Sequence, residues 1–336
     1  MGHRINRRTA FGLGTAVAAT SLLSTTASAQ AAEQTSPASP ADARTQVKRV
    51  YDRETTAVGG TWNTYISVAD ADGTPVAAVD AASDVVLEAY SVNKVAVAVA
   101  VLDKIDRGAA ALTDRLEVPA SLVIPDGDGI IKLDGGYPST FTVGHSLALL
   151  LTVSDDTAVR LSGLVCTSKE INDTLVAKGF PKTQVDPVAN PNRFFLGKST
   201  PKETHDLLQA LVKGTLLSAA STDYLLKILR SQVAFTDGIR REMSSFDRER
   251  VATKAGWLHD ARSEAGIMFD QAGKPVLTYA IFADKQGDDG NYGATHPAVQ
   301  ARSKMGPKFL RAVDKIAGDA TARTLARVQY QPSNGG

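Results

Sequence analysis

The sequence predicts an α+β fold in which one antiparallel sheet takes its strands from both ends of the chain, with flanking helices and an inserted all-helical lobe. Three observations carry this. Apolar and polar side chains alternate from Trp62 to Val68 and resume at Pro75–Val79, on either side of a turn at 70–73. Strand-like alternation returns at 251–253, 265–270 and 275–283. Between these regions the apolar spacing is helical, over 143–153, 156–164, 170–178, 201–212 and 221–229.

Taken in order, residues 1–29 form an export signal. Arg4, Arg7 and Arg8 make its positive end, 10–23 its apolar stretch, and Ala27-Ser28-Ala29 its small-residue cleavage site. The apolar stretch is shorter than the roughly 18 to 20 residues of a membrane span, so no stable span is expected after cleavage. The Arg7-Arg8 pair resembles a twin-arginine signal. Residues 30–41, rich in Ala, Ser, Pro and Gln, read as a disordered spacer, and 42–330 as the folded domain. Within it, 42–54 has helical spacing with Val47, Val50 and Tyr51 on one side. Residues 91–105 are apolar nearly all round, which predicts a buried helix ending at Gly108. A tight turn at Gln271-Ala-Gly-Lys274 joins the last two strands, and a final helix covers 297–316.

Lys plus Arg and Asp plus Glu nearly balance, at 37 against 36, and the basic residues form no blocks. That excludes a nucleic-acid surface. The one cysteine, Cys166, cannot make a disulfide within the chain, and its neighbours Leu164 and Val165 predict a buried thiol. The five histidines are scattered without metal-ligand spacing, so neither metal nor cofactor is expected.

The chemistry points to Ser91-Val92-Asn93-Lys94 at the start of the most apolar helix. Spacing of three residues puts Ser91 and Lys94 on one face. A serine hydroxyl needs a base to become nucleophilic, and a desolvated lysine can serve. A second Ser-x-x-Lys, Ser199 to Lys202, is read as accidental. Two further elements follow in order, Ser154-Asp155-Asp156 and Lys254-Ala255-Gly256. On its own Ser154 would read as a helix N-cap.

Together the three elements resemble the Ser-x-x-Lys, Ser-Asp-Asn and Lys-Thr-Gly motifs of class A β-lactamases and penicillin-binding proteins. The resemblance implies a β-lactamase/transpeptidase-like fold, with Ser91 as nucleophile and Lys94 as base or relay. It implies that Ser154 protonates the leaving nitrogen while Lys254 keeps that network positive. It gives the oxyanion hole to the backbone N–H groups of Ser91 and Trp257, beside Gly256. Val185-Asp186-Pro187 through Asn190 resembles the loop that holds the deacylating water, with Asp186 as base and Asn190 as second water ligand. Its other reading is a solvated turn.

Four departures stand out. Asp186 is a methylene shorter than the family's glutamate, and Gln184 replaces the arginine at the loop's neck. Asp156 stands where asparagine binds the substrate's side-chain amide, and Ala255 lacks the hydroxyl that helps bind the substrate carboxylate, with bulky Trp257 following Gly256. Arg262 is the expected replacement for that contact, with Arg240 and Arg241 as alternatives. The expected protein is a secreted monomer acting on a small β-lactam or peptide-like amide. A cell-wall D,D-peptidase, another amidase or esterase, and a non-catalytic binder of β-lactams or wall peptides are the alternatives.

Overall fold

The computed structural model describes residues 39–316. The signal, nearly all of the spacer, and residues 317–330 lie outside that range. The first helix, α1 (Pro40–Val58), takes two residues from the expected spacer, because Ser39 caps it and Pro40 fits its first turn. Strands β1 (Thr61–Ala69) and β2 (Pro75–Ala81) form the expected hairpin. Three strands near the far end complete the sheet: β8 (Val251–Leu258), β9 (Ala261–Phe269) and β10 (Pro275–Asp284). The strand order is β2-β1-β10-β9-β8, and every pairing within it is antiparallel.

Between lie β3 (Leu87–Glu88), α2 (Lys94–Asp106), β4 (Arg115–Val118), β5 (Ser139–Thr142) and α3 (Val143–Thr152). Then come α4 (Asp156–Val165), α5 (Ser168–Ala177), β6 (Gln184–Pro187), β7 (Phe194–Ser199), α6 (Pro201–Val212), α7 (Ala219–Arg230) and the short α8 (Ser245–Arg248). The chain's last described helix is α9 (Pro297–Asp314).

The sheet separates two apolar cores. On β10, Leu277, Tyr279 and Ile281 join α1 and α9 on one side, while Ala280 and Phe282 face the helical lobe. That alternation is the two-residue strand period, and it explains why β9 is buried along its whole length. Helix α2 is buried at every position from Lys94 to Leu102, as its all-round apolarity predicts. Each fully buried valine there contributes roughly 1.5–3 kcal/mol by removal from water. This anchors the end of α2 that carries the Ser91 motif.

Behind the sheet, Glu264 is fully buried and pairs with Arg302 of α9 at 3.1 Å. It also accepts from Thr253 Oγ1 at 2.7 Å and from Ile239 N. A Cβ at Gly238 would sit 1.7 Å from this carboxylate, so a larger residue there must displace it from its bonds. Among the described residues no helix is long and apolar enough to cross a membrane. Cys166 is buried, and burial pushes its thiol up to about 12.

Candidate active site

Ser91 sits in a 3-10 turn, Tyr90–Asn93, that leads directly into α2. Tyr90 has φ 48°, a left-handed conformation that turns the chain sharply into the helix. The turn rests on β8: a Cβ at Gly256 would lie 2.8 Å from Ser91 N, 2.7 Å from Val92 N and 3.0 Å from Ala89 O. These are backbone atoms that cannot swing aside, so glycine lets strand and turn touch. Ser91 lines a cleft of about 980 Å³ together with Asp128, Asp156, Asp186, Trp257 and Tyr292. Trp257 packs on Phe235 with ring centroids 5.4 Å apart.

The three motif elements converge on the Ser154 hydroxyl. Lys94 Nζ donates to Ser154 Oγ at 3.0 Å, to Ser154 O at 2.5 Å and to Asp156 Oδ1 at 2.8 Å. Lys254 Nζ donates to the same Ser154 Oγ at 3.1 Å and to Ala255 O at 2.6 Å. One hydroxyl therefore bridges the amino groups of two buried lysines. Burial pushes the Lys94 pKa down, against the opposing pull of Asp156. Burial first, and then the charge of Lys94, pushes Lys254 well down. Like charges this close make one proton readily lost from the pair.

Ser154 does not cap α4. Asp155 does, accepting from Ala158 N at 3.0 Å, while its other oxygen accepts from Ile130 N and Ile131 N at 2.7 and 2.8 Å. Ser154 is left at φ 55°, the left-handed region, with its hydroxyl between the lysines. Asp156 has both oxygens engaged, one by Lys94 and the other by Asp128 N at 2.8 Å. The carboxyl of Asp128 is pushed up, by burial and then by the neighbouring charge of Asp156. Sequence reasoning missed Asp128, whose loop carries no motif.

Asp186 lies in strand β6, paired with Phe195 of β7, and not in the open loop expected. The hairpin contains a bulge: Gln184 pairs with Lys198 and Asp186 with Phe195, so β7 has one extra residue. Gly197 takes φ 67° there, and a Cβ would fall 2.3 Å from Gln184 O.

The expected water ligand Asn190 and the expected carboxylate contact Arg262 do not line the cleft. Asn190 stands at the exposed tip of this hairpin, off the cleft, where its side-chain oxygen accepts from Asn192 N at 2.9 Å. The Asn-Pro dipeptide thus builds the turn, as its alternative reading had it. Arg262 is buried and does not itself line the cleft, though it backs Tyr292, which does. Its guanidinium donates to His259 O at 2.5 Å, to Ala261 O and Asn291 O at 2.7 Å, and stacks over Tyr292. It therefore organises the loop after β10. Of its alternatives, Arg240 is fully buried and donates to Ser231 O at 2.9 Å, and Arg241 is paired with Asp237 at 3.0 Å.

The second Ser-x-x-Lys is structural: Ser199 bonds Thr183 Oγ1 at 2.8 Å and Lys202 pairs with Asp206. A further array has the order of a hydrolytic triad, Ser67 Oγ to His205 Nε2 at 2.7 Å and His205 Nδ1 to Asp206 at 2.9 Å. Ser67 is 1% exposed and lines a cavity of about 50 Å³. That is room for water but not for an acyl substrate.

A family profile described as the beta-lactamase enzyme family matches residues 41–313. The chain belongs to that family. No curated protein sequence matches it. Among solved structures it is similar to a β-lactamase from Sphaerobacter thermophilus, with TM-score 0.66 and 23% identity over 80% of this chain and 96% of that one. A β-lactamase from Chitinophaga pinensis gives TM-score 0.66 and 19% identity over 79% and 98%. A point mutant of PBP-A, described as an acyl-enzyme complex with penicillin G, gives TM-score 0.61 and 19% identity over 79% and 96%. At these identities the neighbours establish the fold, a β-lactamase/transpeptidase-like sheet and helical lobe.

Proposed function

We propose that this family member is an exported serine hydrolase that opens an amide of the β-lactam kind through an acyl-Ser91 intermediate. One observation carries the reading: the Ser154 hydroxyl bridges two buried lysines, one of which, Lys94, directly follows the Ser91 turn. The Ser91 oxygen attacks the carbonyl carbon as its proton passes to Lys94. All three hydrogens of a Lys94 ammonium already have acceptors, so it must first give one up. Ser154 is the exit, with Lys254 as the receiving amine. The same hydroxyl then delivers a proton to the departing nitrogen as the acyl bond to Ser91 forms. The backbone N–H groups of Ser91 and Trp257 take the developing negative charge. In the second half, Asp186 takes a proton from water as its oxygen attacks the ester carbon. That proton then passes to the Ser91 oxygen as the bond between it and the acyl carbon breaks, which leaves the carboxylic acid.

A D,D-peptidase, or another amidase or esterase, is the second reading. Asp156, with both oxygens engaged and no donor for a side-chain amide oxygen, favours a substrate other than common penicillins.

Mass spectrometry of the protein mixed with penicillin G, followed in time, tests the proposal. An adduct on the Ser91 peptide that forms and decays is expected, and none in Ser91→Ala. An adduct that persists favours the peptidase reading. Labelling that survives in Ser91→Ala removes Ser91 as nucleophile, and no adduct at all points to a different substrate class.

A further inference from the structure

Asn93 lies inside the Ser91 motif, two residues from the nucleophile, as a buried carboxamide in an otherwise apolar run. Desolvating a carboxamide there is unfavourable unless its hydrogen bonds are made. Its Nδ2 donates to Leu196 O at 2.7 Å and Lys198 O at 3.1 Å, with Gln184 O at 3.4 Å. Those carbonyls belong to both strands of the hairpin that carries Asp186, on either side of the Gly197 bulge. A second bond from the same turn, Ala89 N to Gly197 O at 2.9 Å, lies beside it. On the other side, Asn172 of α5 grips Val185 through both backbone groups, at 2.8 and 3.0 Å. The neck residue Gln184 spends its own amide on Thr183 O, so it ties nothing across the hairpin.

We propose that Asn93 is a positioning residue for deacylation: its carboxamide ties the β6–β7 hairpin to the nucleophile's own turn and so fixes Asp186 relative to the acyl ester. The consequence for the rate rests on the reading of Asp186 as base given above; the mechanical tie does not. Acylation uses Ser91 with Lys94, Ser154 and Lys254, whose side-chain bonds run to one another, to Asp156 and to Ala255 O and not to this hairpin. Deacylation uses the hairpin, and a misplacement of about 1 Å in a reacting group costs on the order of a hundredfold.

The test compares wild type, Asn93→Ala, Asp186→Asn and the double variant by stopped-flow acylation and deacylation with a fluorescent penicillin. Hydrogen exchange across 184–199 accompanies the kinetics. Asn93→Leu occupies similar volume without a donor and serves if the alanine variant does not fold. Asn93→Ala should slow deacylation by about 10- to 100-fold and leave acylation within about threefold, with faster exchange in the hairpin but not in β8 and β9. In the Asp186→Asn background it should slow deacylation no further, because groups acting as one unit are not additive. Equal slowing of both steps, an additive effect with Asp186→Asn, or unchanged hairpin exchange overturns the proposal. If Asp186→Asn deacylates at the wild-type rate, or penicillin never acylates the wild type, the functional reading fails instead. Exchange in the Asn93 variants still decides whether the tie exists.

Discussion

At the residue scale, Ser154 combines a strained backbone with the hydroxyl shared by Lys94 and Lys254. A non-glycine residue at φ 55° costs roughly 1–2 kcal/mol, which glycine does not incur. Ser154→Gly should therefore melt above Ser154→Ala while both lose acylation by about two to four orders of magnitude. Thermal melts and stopped-flow acylation check this; equal melting would mean that the backbone is relaxed at 154. Asp156 acts on the same network through charge. Lys94 must be deprotonated to accept a proton, so acylation rises with pH through its depressed pKa. Asp156 opposes that depression, so Asp156→Asn should move the rising limb to lower pH. A pH–rate profile of acylation that does not move, or moves upward, would separate Asp156 from the Lys94 titration.

At the element scale, the proposed role of the hairpin β6–β7 in turnover is open to test through Asp186. Asp186→Asn should leave acylation nearly unchanged and let the acyl-Ser91 adduct accumulate, as time-resolved mass spectrometry would show. Asp186→Glu, one methylene longer, should speed deacylation if the strand position leaves the shorter side chain at the edge of its reach, since a base works only within about 2.6–3.2 Å. The sequence announces α2, the β1–β2 hairpin and α9 clearly, through sustained apolar periods and caps. It does not announce β6 and β7. The bulge at Gly197 breaks the two-residue alternation, and Asp-Pro and Asn-Pro read as loop. Asn93 was visible as a polar residue in an apolar helix, but its partners were not.

At the scale of the whole molecule, the sheet is held between α1 and α9 on one side and the helical lobe on the other. His205 of α6 bonds Ser67 of β1 and so links lobe to sheet. Burial holds its imidazole below its ordinary value of 6.5, although Asp206 opposes this. The unfolded chain then binds the proton more readily than the folded one. Stability is full above about pH 6.5 and is lost as pH falls through the folded value. Melting temperatures between pH 8 and 5 should fall more steeply for wild type than for His205→Gln. Parallel curves would show that this bond carries no pH dependence.

The sequence by itself determined the class of fold, the order of its main elements, the buried α2, and the three motifs that mark the family. Those properties are local: a helical or strand period is written in neighbouring residues and survives being read one segment at a time. The tertiary structure alone decided which side chains meet. Ser154 reaches Lys94 across 60 residues and Lys254 across 100, and Asp155 takes the cap that Ser154 would otherwise have made. Arg262, which charge alone made a substrate contact, is consumed by the carbonyls of a loop that only the folded chain brings beside it. Whether an ionic group is free for a ligand depends on every acceptor that folding delivers to it, and that information is spread over segments remote in sequence.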